Sequence, residues 1–191
     1  MKVQVRQGLF ETNSSSTHAI CIAKKELNDN YKLPKSIEFN LDGFGWEIEE
    51  YRDIYSKANY LYTGYVEVIG SKLYHEEREK NEFYRGWKEC EVKASLIFKD
   101  KIKELLPDIE CEFEDVENTK TYYYIDHSED GIDSFINYVL SSRENLIAYL
   151  VNDNSTIFTG NDNDDDGNVK DYNLNELLVM DTIDEIFYKG N

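Results

Sequence analysis

Apolar and polar residues alternate on both sides of a long polar run near the start of the chain. Val3 and Val5 alternate with Gln4 and Arg6, and Ile20 and Ile22 alternate with Cys21 and Ala23. That period predicts two strands, from Val3 to Phe10 and from Ala19 to Ala23. Ile37, Phe39 and Leu41 alternate with Glu38 and Asn40, which predicts a third strand from Ser36 to Leu41. The period then changes. Tyr51, Ile54, Tyr55, Ala58, Leu61, Tyr62, Tyr65 and Ile69 recur at three and four residues, the stripe of a long helix facing a core, which Gly70 is expected to end. The heavily charged stretch from Ser71 to Trp87 reads as a solvent-facing helix or as an excursion from the main body spanning 71–90.

A second helical stripe runs through Ala94, Ile97, Phe98, Ile102 and Leu105 and stops at Pro107. Strict alternation from Asp108 to Glu114 predicts a strand with one acidic face. A Tyr-rich strand is expected from Thr121 to Asp126, with Asp115 to Lys120 as a link across which the two could pair. Ile132, Phe135, Ile136, Val139 and Leu140 give a third helical stripe. Ser142 is placed to cap a fourth helix over Leu146, Ile147 and Leu150. A short strand follows from Ser155 to Thr159. Asn173 and Glu176 have the spacing of a capping box, which predicts a C-terminal helix through Leu177, Leu178, Ile183, Ile186 and Phe187. Strands and helices do not alternate regularly, so the expected class is α+β: a mixed or mainly antiparallel sheet packed by about four to five helices, in a single domain over 1–191. No internal repeat and no Rossmann or P-loop glycine fingerprint is present.

Composition sharpens this picture. Of 191 residues, 40% are hydrophobic and 14% aromatic, which excludes a disordered chain. Tyr accounts for 15 residues, so the core is expected to carry hydroxyls that need partners. The formal charge of -18 repels phosphate backbones and argues against direct nucleic-acid binding. It favours solubility, divalent cations or a basic partner. Cys21, Cys90 and Cys111 are widely spaced and form no CxxC pair, so buried thiols in a reducing cytoplasm are expected. No long apolar segment follows the charged start, so neither a signal peptide nor a membrane span is expected.

The candidate chemistry lies in polar segments. The first is Phe10-Glu11-Thr12-Asn13-Ser14-Ser15-Ser16-Thr17-His18. A plain hairpin needs a few turn residues, usually with Gly. Here every side chain from Glu11 to His18 can hydrogen-bond or ionise, and none is Gly or Pro. Glu11 and His18 suit a proton-transfer pair. Arg6 with Asn13, Ser14, Ser15, Ser16 and Thr17 suits a phosphate or other oxyanion, which wants convergent donors and one fixed positive charge. The bland alternative is a turn whose hydroxyls satisfy backbone groups. Asp126 and His127 end a strand and could join His18 as acid-base groups or as metal ligands. Trp46, in Phe44-Gly45-Trp46-Glu47, could wall the same pocket.

Asp162, Asp164 and Asp166 occupy the first, third and fifth positions of a calcium-type loop, with Gly167 at the sixth. The twelfth is Asn173 rather than a bidentate Glu. That is half of an EF-hand, and it makes a weak calcium or magnesium loop the only cofactor expectation. Asp108, Glu110, Glu112 and Glu114 form a charge ladder that could imitate a nucleic-acid backbone. Its simpler explanation is protection of a sheet edge.

The run from Arg6 through Phe10 to His18 resembles the N-terminal signature of uncharacterised proteins from phages, prophages and mobile elements of low-GC Gram-positive bacteria. Phe44 to Glu47, Lys57 to Thr63, Tyr124 to His127 and Thr159 to Asn163 resemble further segments of that group. The resemblance implies a cytoplasmic accessory protein of a bacterial host cell and supplies no activity, cofactor or catalytic residue. Three functional expectations follow. One is a pocket for a small phosphate-bearing or nucleotide-like ligand, serving a hydrolase or transferase, with Arg6 as clamp and Glu11 or His18 as base. Another is an acidic inhibitor of a basic host defence or nucleic-acid-binding protein, of anti-CRISPR or anti-restriction type. The third is a structural or assembly component.

Overall fold

The computed structural model describes residues 16–23, 33–45, 49–126, 132–161 and 183–189. Its elements are, in chain order, β1 (Ser16–Ala23), β2 (Ser36–Phe39), β3 (Gly43–Phe44), β4 (Glu49–Tyr51), α1 (Ile54–Lys80), α2 (Trp87–Leu105), β5 (Glu110–Phe113), β6 (Tyr124–Ile125), α3 (Ile132–Val139), α4 (Arg143–Val151), β7 (Thr156–Asn161) and β8 (Ile183–Lys189). The fold is α+β. A four-stranded antiparallel sheet, ordered β4-β7-β1-β8, is accompanied by two short parallel pairs, β2-β5 and β3-β6.

β1 starts at Ser16, so the strand extends into the polar run rather than beginning after it. Its alternation buries both faces. Ile20 and Ile22 enter the main core, whereas Ala19 and Cys21 pack with Phe158 and Ile183 on the other side. Ile20 lies between Ile157 and Phe187 in the register, a cross-strand apolar row of the kind that sets sheet stability. Burial raises the Cys21 thiol to about 12, so it stays protonated and unreactive.

The C-terminal helix is corrected for its last part. Ile183, Ile186 and Phe187 belong to strand β8, and Asn173 to Leu178 lie outside the described residues. The helix-like spacing has a sheet explanation. The β8 register shifts between Ile22 and Ala23 of β1. One extra residue there lets Ile183 and Ile186 share a face although they are three apart.

The two parallel pairs correct another expectation. The strands around Cys111 and Tyr124 do not pair with each other across Asp115 to Lys120. Each pairs with the segment that follows Lys35. Ile37 and Phe39 align with Cys111 and Phe113, and Phe44 aligns with Ile125. Residues 115–123 loop out between the two pairs, and Glu114 spans the break. Its carboxylate accepts from the Leu41 backbone N–H at 2.8 Å and also from Thr119 and Thr121. Glu114 is thereby withdrawn from the proposed acidic ladder. Asp108 pairs with Arg143 instead, and that hydrogen bond lowers its pKa. Glu110 and Glu112 remain exposed, with Glu112 aligned to Glu38.

α1 runs straight through Gly70, where the sequence predicted its end. The stretch from Ser71 to Lys80 is the last part of this helix, and residues 81–86 turn the chain back into α2. Gly70 serves helix packing rather than termination. A Cβ there would stand 3.2 Å from Cγ and 3.3 Å from Cα of Glu91, so the missing side chain lets the two helices approach closely. Ser142 caps α4 as expected, accepting from Asn145 N at 3.2 Å.

Lys57, wholly buried, joins α1 to the end of α4. Its Nζ donates to the carbonyls of Asn152 at 3.1 Å and Ser155 at 3.3 Å, where a helix C-terminus welcomes positive charge. Burial lowers its pKa to about 8, opposed by Asp153 and Asp53. The unfolded chain therefore holds a proton that the native state has lost between about pH 8 and the unperturbed 10.5. Stability of the wild type relative to Lys57→Met should rise across that window and stay flat below it. Urea denaturation of both proteins as a function of pH reads this slope, and a difference falling with pH would contradict it.

Candidate functional site

His18 and Asp126 come from opposite ends of the sequence-predicted set, and Gly45 brings them together. His18 lies on β1 and is 1% exposed. Asp126 is half-buried and directly follows β6, its backbone N–H donating to Phe44 O at 2.9 Å. Gly45 follows β3 with φ +106, and a Cβ at that position would lie 2.6 Å from His18 Nε2, 2.7 Å from His18 Cε1 and 3.1 Å from Cβ of Asp126. A side chain is thus excluded twice, by the positive φ and by the two neighbours. The parallel pairing of β3 with β6 carries Asp126 to this point, and the sheet carries His18.

Behind the imidazole stands Tyr60 of α1. Its hydroxyl lies 3.0 Å from His18 Nδ1, and the rings are 6.0 Å apart. Burial, with the charge of Glu67 adding to it, pushes the Tyr60 phenol well above its ordinary pKa. The phenol therefore keeps its proton, and because a phenol O–H is a better donor than its oxygen is an acceptor, the favoured pairing is the one in which it donates to a bare Nδ1. We assign the neutral imidazole proton to Nε2 on this ground, the nitrogen that faces Gly45. Phe44 packs edge-on against Tyr60 at 5.1 Å, and Phe135 closes another side of the ring at 6.0 Å. Glu67, one helical stretch further along α1, accepts from Ile125 N at 2.8 Å, which fixes the residue next to Asp126.

The sheet register extends the polar set. Glu49 of β4, Thr159 of β7, His18 of β1 and Lys189 of β8 stand opposite one another across the four strands. Directly opposed residues share a face. The next row inward is Tyr51, Ile157, Ile20 and Phe187, which is apolar apart from the Tyr51 hydroxyl that donates to Glu49. The sheet thus changes from apolar to polar within one row, and Ser16 and Thr17 start β1 at the polar end.

This arrangement can orient a proton. Nδ1 of the buried imidazole is held by the phenol and Nε2 lies against Gly45, so the ring is shielded from bulk water. Thr159, wholly buried, and Asp126 are its polar neighbours in the register and at the turn. Ser16 and Thr17 are placed by their backbones alone. Arg6, Glu11, Asn13, Ser14, Ser15, Trp46, His127, Asp162, Asp164 and Asp166 lie outside the described residues. Among the described residues, no three His, Cys, Asp or Glu side chains are grouped to hold a metal ion, and no helix is long and apolar enough to cross a membrane.

Tyr60, Gly45, Thr159 and Glu67 are the site residues that sequence reasoning missed. Tyr60 belongs to none of the stripe positions used to predict the helix. A signal was present at Gly45, a glycine between two aromatics where a loop must turn tightly. No family model, curated protein or solved structure matches this chain. Gly45→Ala should lower stability by about 2–4 kcal/mol through backbone strain and overpacking. Equilibrium urea unfolding measures it, and a loss under about 1 kcal/mol would contradict the close packing of His18 and Asp126 on Gly45.

Proposed function

We propose that the polar end of the sheet binds a small phosphate-bearing, nucleotide-like ligand, in a phage or mobile-element accessory protein acting in a bacterial cytoplasm. The observation that carries this reading is the convergence of His18 and Asp126 on Gly45, with Tyr60 holding the far side of the imidazole. In this reading the Asp126 carboxylate accepts from ligand hydroxyls. The Asn13 to Thr17 segment, which leads directly into β1, supplies donors to the phosphate with Arg6. His18 Nε2 exchanges the proton in hydrolysis or group transfer. The acidic-inhibitor alternative draws less support, since Asp108 of its ladder is paired with Arg143 at the surface and Glu114 is bonded to the Leu41 backbone.

Thermal-shift measurements with inorganic phosphate, adenosine and guanosine mono- and triphosphates test the reading. A ligand that binds only the folded state at 100 times its Kd adds about 2.7 kcal/mol of stability. At least one nucleotide should raise Tm of the wild type, and Asp126→Asn, which keeps the shape of the half-exposed side chain, should reduce that rise by about tenfold in apparent affinity. No shift from any of these ligands, or an equal shift in Asp126→Asn, would overturn it.

A further inference from the structure

The residues around β6 divide by alternation. Tyr123 and Ile125 turn inward. Ile125 belongs to the main core, and the Tyr123 hydroxyl accepts from Lys88 Nζ at 3.0 Å. Tyr122, Tyr124 and Asp126 take the opposite side. β3 alternates in register with them. Phe44 enters the core, while Gly43 and Gly45 lie on the side of Tyr124 and Asp126.

This outer face has a floor of bare backbone. A Cβ on Gly43 would stand 2.8 Å from Cε1, 3.3 Å from Cζ and 3.4 Å from Cδ1 of Tyr124, so the tyrosine ring lies down across the glycine. Two residues on, Gly45 makes the same room for Asp126 and His18. Tyr122 stands beside Tyr124, with ring centroids 5.3 Å apart and planes tilted by 44°. Tyr122 is 84% exposed, the most of any large hydrophobic side chain among the described residues. Two phenol rings thus form a shelf on the approach to Asp126, and the outer ring is open to solvent.

We propose that the heterocyclic base of the ligand stacks on this Tyr122–Tyr124 shelf while its sugar hydroxyls meet Asp126. The inference rests on the nucleotide-like ligand proposed above and names the part of that ligand which this face selects. Tyrosine ring faces stack on planar π-systems, and every base has one. Asp126 and the exposed Asp42 before β3 put carboxylates on this part of the surface, so phosphate is repelled from it and the uncharged end of the ligand is favoured. Alternate residues of a strand stand about 6.6–6.8 Å apart, so Asp126 and the shelf can hold neighbouring parts of one nucleoside. Two rings are too small a patch for a protein partner, which needs about 800 Å² on each side.

Proton NMR and isothermal titration calorimetry of the full chain test the shelf. The probes are adenosine, guanosine, their monophosphates and ribose 5-phosphate. The nucleosides and nucleotides should move the Tyr122 and Tyr124 ring signals, and their base protons should shift upfield, as stacking over a phenol ring requires. Ribose 5-phosphate should move neither tyrosine. Tyr122→Ala, at an exposed position, should weaken nucleotide binding by about tenfold and leave the affinity for ribose 5-phosphate unchanged. A nucleotide that binds without moving the tyrosine signals, or binds Tyr122→Ala as tightly as wild type, overturns the shelf and leaves the phosphate site standing. An equal loss for ribose 5-phosphate also overturns it, since the tyrosines would then serve the sugar. Nucleosides that bind on the tyrosines with an affinity that phosphate does not improve keep the shelf and remove the phosphate site. Binding of neither nucleosides nor nucleotides overturns both.

Discussion

The structure depends on the requirement that polar groups taken into the core find partners there. Three tyrosines, Tyr60, Tyr62 and Tyr149, are fully buried, and each hydroxyl ties two elements together. Tyr60 reaches His18 of β1. Tyr62 donates to Glu114 O at 3.0 Å and shares a hydrogen bond with Ser95 of α2 at 2.7 Å. Tyr149 of α4 donates to the Lys57 carbonyl at 2.8 Å. An unpartnered buried hydroxyl would cost about 1–3 kcal/mol, so these groups fix the spacing of the large sheet, the helices and the parallel pairs more tightly than apolar contact alone. α1 is at the centre of every one of these links. Other polar residues of α1 behave likewise, since half-buried Asn59 and buried Thr63 accept from the backbone at Asn40 and Asp42.

That network explains how the site is placed. Two separate chain segments run parallel over α1 and end at Gly45 and Asp126, while β1 delivers His18 from the large sheet. Three independent elements meet because α1 holds all three. The row holding His18 and Thr159 is polar, with both of those residues buried, where its next row is apolar.

Much of the fold was legible in the residues. Periodicity located α1 to α4 and the strands around Ile20, Ile37, Cys111 and Ile157, because burial on one face imprints a regular period. What failed did so for local physical reasons. Gly70 was read as a helix stop because a sequence cannot distinguish a terminating glycine from one that admits a neighbouring helix. Ile183, Ile186 and Phe187 mimic helical spacing because a register shift adds a residue to the strand. The pairing of β5 with β2 and β6 with β3 was invisible, since parallel partners are distant in sequence and no local turn announces them. Within the site, His18 and Asp126 stood out by residue type. Tyr60 did not, because a tyrosine inside a helix gives no sign that its hydroxyl rather than its ring decides its role.

The central claim is that Tyr60 holds His18 with its imidazole proton on Nε2, facing Gly45 and Asp126. Long-range proton–nitrogen NMR of imidazole-labelled protein reads it most directly, since the protonated and bare ring nitrogens resonate far apart. The account predicts that in neutral His18 the proton sits on Nε2, and that Tyr60→Phe redistributes it between the two nitrogens. A His18 protonated on Nδ1 in the wild type, or a tautomer unmoved by Tyr60→Phe, would contradict it.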